Sequence, residues 1–356
     1  MLKICSVIGA RPQFIKASPL SAVLREKFEE IMIHTGQHYD HGMSQRFFDE
    51  LDIPEPEYNL GVGSGGHGAQ TAAMLKLLEE LFIKEKPDAV LVYGDTNSTL
   101  AGALSAVKLH IPVAHVEAGL RSFNRKMPEE INRIVTDHVS DFLFVPSETS
   151  KKNLSKEGII KGVHIVGDIM YDSILMHGQR AREKSTILSK LKIKNENYYL
   201  ATIHRAENTD VKDQLDNIFR VFSELDKIVI LPLHPRTKIR MEEFSLKVSD
   251  NIKILEPAGY LDMLQLMQSA KSVLTDSGGV QKEAYYLRVP CVTLRKETEW
   301  TETVDAGWNT VANSDKEIIL SVTERSDEIR LLPHPDLYGS GNTASEIVKI
   351  LSLEIS

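Results

Sequence analysis

Three carboxylates and two cations in the first half of the chain have the types and spacing to do proton and phosphate chemistry. Asp95 stands in Tyr93-Gly94-Asp95-Thr96-Asn97-Ser98-Thr99, directly after an apolar run. Glu117 stands in His115-Val116-Glu117-Ala118-Gly119-Leu120-Arg121, after the next such run. A carboxylate at the end of a largely apolar strand is costly unless paired, and Arg121 or Arg133 can pair Glu117 structurally. An N-cap role accounts equally well for Asp95 taken alone. Glu129 belongs to Met127-Pro128-Glu129-Glu130, a proline-led helix start whose acids suit the helix dipole. Three acids converging on one loop face are harder to ascribe to capping, and such a group fits general acid and base work. The first strand ends in Gly9-Ala10-Arg11-Pro12-Gln13-Phe14-Ile15-Lys16. Arg11 can fork onto a phosphate and Lys16 adds a point charge, although solvated surface cations fit these two residues alone as well.

The second half repeats the pattern with different chemistry. His204 lies in Thr202-Ile203-His204-Arg205-Ala206-Glu207-Asn208, and His234 with Arg236 in Leu233-His234-Pro235-Arg236. Histidine titrates near neutral pH, so these strand ends suit proton transfer or phosphate binding. Lys271–Tyr286, KSVLTDSGGVQKEAYY, reads as a strand end, a turn at Gly278–Gly279 and a helix from Val280 to Leu287. Glycines at a helix start let an anion such as a diphosphate approach free backbone N–H groups, and Glu283, about a turn further, can take two ribose hydroxyls. An ordinary βα turn explains the same residues in isolation. His34, His38 and His41 are close in sequence, but GQHYD between them reads as a loop without paired soft ligands. HExxH and CxxC spacings are absent, so neither a metal nor a cofactor is assigned.

The elements that must position these residues are read from apolar runs. They are Ile4–Ile8, Ile31–His34, Ala89–Val92, Val113–Val116, Phe142–Val145 and His164–Val166, then Tyr198–Ile203, Ile228–Leu233, Ile252–Leu255, Ser272–Thr275, Cys291–Leu294 and a weaker Thr310–Ala312. Amphipathic segments alternate with them, which predicts an α/β fold of two doubly wound parallel sheets, each binding ligand beyond the carboxyl ends of its strands. The boundaries are set at 1–168 for the domain with the carboxylates and 169–342 for the nucleotide domain, hinged near Gly167–Asp172. A final helix within 343–356 is placed back on the first domain, and a charged helix is expected from Ser173 to about Lys192. Glycine-rich Glu55–His67 shows no periodicity and reads as a loop.

Composition narrows the partners. With 356 residues, 42% hydrophobic and 26% charged, the chain is of globular type and long enough for two cores. A formal charge of −8 argues against a nucleic-acid or anionic-membrane partner. Only Cys5 and Cys291 occur, both in apolar runs, which fits buried free thiols in a reducing compartment. With no leader-like start and no apolar run of spanning length, a cytoplasmic location is expected.

The runs GARPQFIK, GDTNSTLAGAL, HVEAGLRSFN with MPEEINR, HRAEN, LHPR and TDSGGVQKEA, followed by LYGSGNTASEI at 337–347, stand in one order. In this the chain resembles the non-hydrolysing UDP-N-acetylglucosamine 2-epimerases over nearly its whole length. The resemblance implies a glycosyltransferase-B-like pair of Rossmann-like domains facing a cleft, a UDP-sugar ligand and a homodimer. It makes Asp95, Glu117, Glu129 and His204 the catalytic group. It assigns Arg11 and Lys16 to the phosphates, and His234, Ser277, Gly278, Gly279 and Glu283 to the UDP site. The chemistry it implies is elimination of UDP to a 2-acetamidoglucal and re-addition, a route that needs carboxylates about the ring and cations on the leaving diphosphate. With cations in one domain and the glycine turn in the other, closure on UDP is expected.

One departure bears on the substrate. Many members read TERPE where this chain has Thr298-Glu299-Trp300-Thr301-Glu302, a form similar to the branch acting on UDP-2,3-diacetamido-2,3-dideoxy-glucuronate. The family's regulatory site involves the positions of Gln37 and His38 and the segment near Gln70; its regulation is not carried over. A glycosyltransferase would use the same fold but an acceptor groove in place of the acid cluster. A hydrolysing epimerase is a nearer rival, and a catalytically dead sugar-nucleotide sensor is disfavoured by four intact catalytic positions.

Overall fold

Strands in this chain are apolar on both faces because helices cover both faces of each sheet. The structure is a computed structural model that describes residues 1–37, 48 and 50–355. Its chain divides into two compact units, Met1–Met176 with Tyr338–Ser356, and His177–Leu337. The boundaries drawn from sequence were 168 and 342.

The first unit holds β1 (Lys3–Ile8), β2 (Glu29–His34), β3 (Tyr58–Asn59), β4 (Ala89–Tyr93), β5 (Val113–Val116), β6 (Phe142–Val145) and β7 (Val163–Ile165). They form one sheet in the order β3-β2-β1-β4-β5-β6-β7, with every pair parallel. The order reverses between β1 and β4, so the loops leaving those strands open a crevice at the carboxyl edge. Val7 pairs with Val92 and Tyr93 with Val116, which brings the ends of β1, β4 and β5 level with one another. The helix Thr343–Glu354 belongs to this unit and packs on the helix Arg11–Leu24.

The second unit holds β8 (Tyr198–Thr202), β9 (Ile228–Pro232), β10 (Ile252–Leu255), β11 (Val273–Thr275), β12 (Cys291–Thr293) and β13 (Asn309–Val311). Their order is β10-β9-β8-β11-β12-β13, again all parallel, with the reversal between β8 and β11. Side chains alternate across this sheet as the two-residue period of a strand requires. Tyr199, Ala201 and Ile203 pack with Leu215, Ile218 and Phe222, while Tyr198 and Leu200 pack with Leu266 and Ala284. Both alternating sets are buried, so the run reads as continuously apolar.

Two local expectations change. Glu55–His67 contains the short edge strand β3, whose Tyr58 and Asn59 pair with Ile33 and His34. A two-residue strand carries too little pattern to be seen in sequence. The single charged helix expected from Ser173 is two helices, Ile169–Lys184 and Ile187–Leu191. Between them the Ser185 hydroxyl donates to Asp262 and accepts the Ile187 N–H at 3.2 Å, a local bond that competes with the helix ladder. Cys5 and Cys291 are free and buried. Among the described residues no helix is long and apolar enough to cross a membrane, and no cluster of ligating side chains could hold a metal ion.

Candidate active site

Each unit gathers its candidate residues at its own strand-order reversal. In the first unit Gly94, with φ +64, turns the chain out of β4, and a Cβ there would stand 3.1 Å from Lys16 Nζ and 3.2 Å from Glu117 Oε2. Only glycine gives this turn without strain while leaving room for both groups. Lys16 and Glu117 are themselves an ion pair, with side chains 10% and 9% exposed. Glu117 thus pairs with Lys16, while Arg121 and Arg133 pair with other acids. Glu117 adopts φ +71, a left-handed conformation that costs a non-glycine residue free energy and is concentrated at functional sites.

Asp95 pairs with Arg133, whose Nη1 lies 2.6 Å from Oδ2. Its backbone carbonyl accepts from Asn132 Nδ2 at 2.9 Å. Thr96 caps the following helix Asn97–Lys108, so capping does not account for Asp95. A third of the Asp95 side chain remains open to solvent, yet it sits low among protein atoms. That desolvation raises its pKa, Arg133 and Lys16 pull it back, and Glu117 and Glu129 add to the rise. Of the two acids that open the helix Pro128–Val139, Glu129 is exposed and Glu130 buried. Glu130 accepts the N–H groups of Ser122 and Phe123 at 2.9 Å each and pairs with Arg133, which makes it a structural acid. Arg11, half-buried, is the first residue of its helix.

In the second unit His204 and Asp276 leave the adjacent strands β8 and β11. His204 Nδ1 lies 3.2 Å from Asp276 Oδ1, and the His204 and His234 rings are 5.8 Å apart between centroids. Asp276 is fully buried and also accepts the N–H of Arg205 at 3.0 Å and Asn208 Nδ2 at 3.0 Å. Burial pushes its carboxyl up, but His204 and these donors outweigh it and hold it below the usual range. His234 accepts the Arg236 N–H through Nδ1 at 3.2 Å, capping the helix Pro235–Glu243, while the Arg236 guanidinium pairs with Asp210. Ser277 opens the helix Gly278–Tyr286 without a side-chain cap. Gly278 is buried, Gly279 exposed, and Glu299 Oε1 lies 2.3 Å from where a Gly278 Cβ would stand. Burial pushes the Glu283 carboxyl up to about 7, with Lys282 pulling the other way.

The family model described as UDP-N-acetylglucosamine 2-epimerase matches residues 22–352. The chain belongs to the UDP-N-acetylglucosamine 2-epimerase family. It is 55% identical to a UDP-N-acetylglucosamine 2-epimerase homolog of Methanococcus maripaludis, over 98% of this chain and 99% of that one. It is 48% identical to the UDP-2,3-diacetamido-2,3-dideoxy-D-glucuronate 2-epimerase of Pseudomonas aeruginosa, over 99% of each. The crystal structure of Methanocaldococcus jannaschii UDP-GlcNAc 2-epimerase in complex with UDP-GlcNAc and UDP superposes with a TM-score of 0.89 at 45% identity, covering 99% of this chain and 100% of that one.

Within the family frame, Asp95, Glu117, Lys16 and the helix bearing Glu129 come together in the first unit, and His204, His234 and the Ser277 turn in the second. Gln37 and Gln70 join through the Gln37 carbonyl at 3.4 Å, and Gln37 Oε1 accepts the Ser98 N–H at 3.0 Å. His38 and His41 lie outside the described residues. Sequence reasoning passed over His115, Asp137, Arg133 and Asp276 as working residues. Each is a charged or titratable group in or beside a largely apolar run, and that alone was the available signal.

Proposed function

We propose that the protein inverts C2 of UDP-N-acetylglucosamine to give UDP-N-acetylmannosamine. The C2 proton passes to an enzyme carboxylate as the C1–O bond to the diphosphate breaks, its electron pair leaving with UDP. The new C1–C2 double bond is that of 2-acetamidoglucal. Re-addition joins a diphosphate oxygen to C1 and delivers a proton to C2 from the opposite face. Asp95, Glu117 and Glu129 are the proton-transfer groups of this reading. Arg11, Lys16 and His204 meet the leaving diphosphate, and His234, Arg236, Ser277, Gly278, Gly279 and Glu283 hold the nucleotide. What supports it is the placement of Lys16 against Glu117 beside Asp95, which sets a cation for the leaving group among the acids that move the proton.

A second reading takes UDP-2,3-diacetamido-2,3-dideoxy-glucuronate as substrate. It is favoured by Trp300, buried with the Lys282 ammonium 4.2 Å above its ring, where many members carry an arginine. A cytoplasmic homodimer serving cell-surface polysaccharide synthesis completes the proposal. Incubation with a panel of UDP-2-acetamido sugars, followed by NMR, tests it. Interconversion of the two N-acetylhexosamine nucleotides is expected, and turnover of the uronate alone would select the second reading.

A further inference from the structure

We infer that His115 is a positioning residue that sets Asp95 and Glu117 in register with each other. Its ring, fully buried on β5, donates from Nε2 to the Gly94 carbonyl at 2.7 Å, the peptide that leads into Asp95. Its Nδ1 meets Asp137 Oδ1 at 2.8 Å. The same Asp137 carboxylate accepts the Gly119 N–H at 3.2 Å and Arg121 Nη1 at 2.6 Å. Glu117 therefore lies between two points, His115 and Gly119, that are tied to one carboxylate, and it is the residue between them that holds a left-handed backbone. Arg121 is anchored in turn on Glu157 by bonds of 2.7 and 2.8 Å. Asp137 belongs to the helix Pro128–Val139, whose first turn carries Glu129 and whose Arg133 pairs with Asp95. One imidazole–carboxylate pair thus connects the β4 turn, the β5 turn and this helix, the three segments that carry the acids.

A fully buried histidine with both nitrogens bound holds its neighbours to a fraction of an ångström, and misplacement by about 1 Å can cost on the order of 10²-fold in rate. The inference rests on the proposed roles of Asp95 and Glu117, and the test separates the two ideas. His115→Asn keeps an amide at the Nδ1 position facing Asp137 but abandons Gly94. His115→Gln keeps an amide at the Nε2 position facing Gly94. Steady-state kinetics, UDP titration calorimetry and thermal unfolding are measured on both, with Asp95→Asn alongside. Each variant keeps only one of the two bonds, so a fall in kcat of about 10- to 100-fold in both His115→Asn and His115→Gln, with UDP affinity held and the fold still cooperative, is the expected result. A loss confined to KM, or an unchanged kcat in either variant while Asp95→Asn is inactive, would overturn the inference alone. An active Asp95→Asn would overturn the reading beneath it as well. If His115→Asn does not fold, Asp137→Asn takes its place, with a fall in kcat at unchanged UDP affinity expected and an unchanged kcat refuting.

Discussion

Replacing Glu283 by glutamine separates what the ligand gains from what the fold gives up. Glu283 has 8% of its surface exposed, and burial pushes its carboxyl from an ordinary 4.5 up to about 7. A raised carboxyl holds its proton more tightly in the folded than in the unfolded chain. The group therefore carries no penalty below about pH 4.5, lowers stability progressively up to about pH 7, and lowers it by a constant amount above that. At roughly 1.4 kcal/mol for each tenfold in proton affinity, the full effect is about 3 kcal/mol. Glu283→Gln keeps the shape and never ionises, so at pH 8 it should unfold at a higher temperature than the natural protein, and the gap should close towards pH 4. Ligand binding should change in the opposite direction. Ribose hydroxyls donate best to the ionised form, so UDP affinity should weaken about tenfold between pH 8 and pH 6 through this group. The UDP phosphate titrates over part of the same range, but equally against both proteins, so the difference between them carries the signal. Scanning calorimetry gives the stabilities and titration calorimetry the affinities. A variant less stable than the natural protein at pH 8, or one with the same pH dependence of UDP binding, would refute the reasoning.

Three other outcomes are expected. Asp95→Asn should lose about 10²–10⁴ in kcat with UDP affinity little changed, read by coupled NMR and calorimetry, and should release UDP and 2-acetamidoglucal if one step slows more than the other. Turnover in heavy water should place deuterium at C2 of the product, seen as loss of the C2 proton signal; an unlabelled product would mean direct internal transfer. Lys16→Met should remove an ammonium from the mostly buried Glu117 carboxylate and destabilise the fold by about 3 kcal/mol, measured by urea unfolding.

Strand positions and the places where chemistry follows them were legible in the chain alone. Doubly covered parallel strands are apolar throughout, so each announces itself, and the loop at its carboxyl end is then found by counting. That is why Asp95, Glu117, His204 and the Ser277 turn stand out in the sequence, and why the two-residue β3 does not. Which charge faces which was decided only by tertiary structure. Arg121 and Arg133 follow Glu117 in the next two segments of the chain, but Arg121 is taken by Asp137 and Glu157, and Arg133 by Asp95 and Glu130. Lys16 reaches Glu117 because the sheet order sets β1 beside β4 and β4 beside β5, cancelling a long separation in the chain. Glu129 and Glu130 are chemically alike and adjacent, yet successive helix positions face different directions, so one is exposed and the other is buried under Ser122 and Phe123. A periodic pattern records which residues turn inward, whereas a pairing needs two inward directions to meet, and that depends on strand register and sheet order.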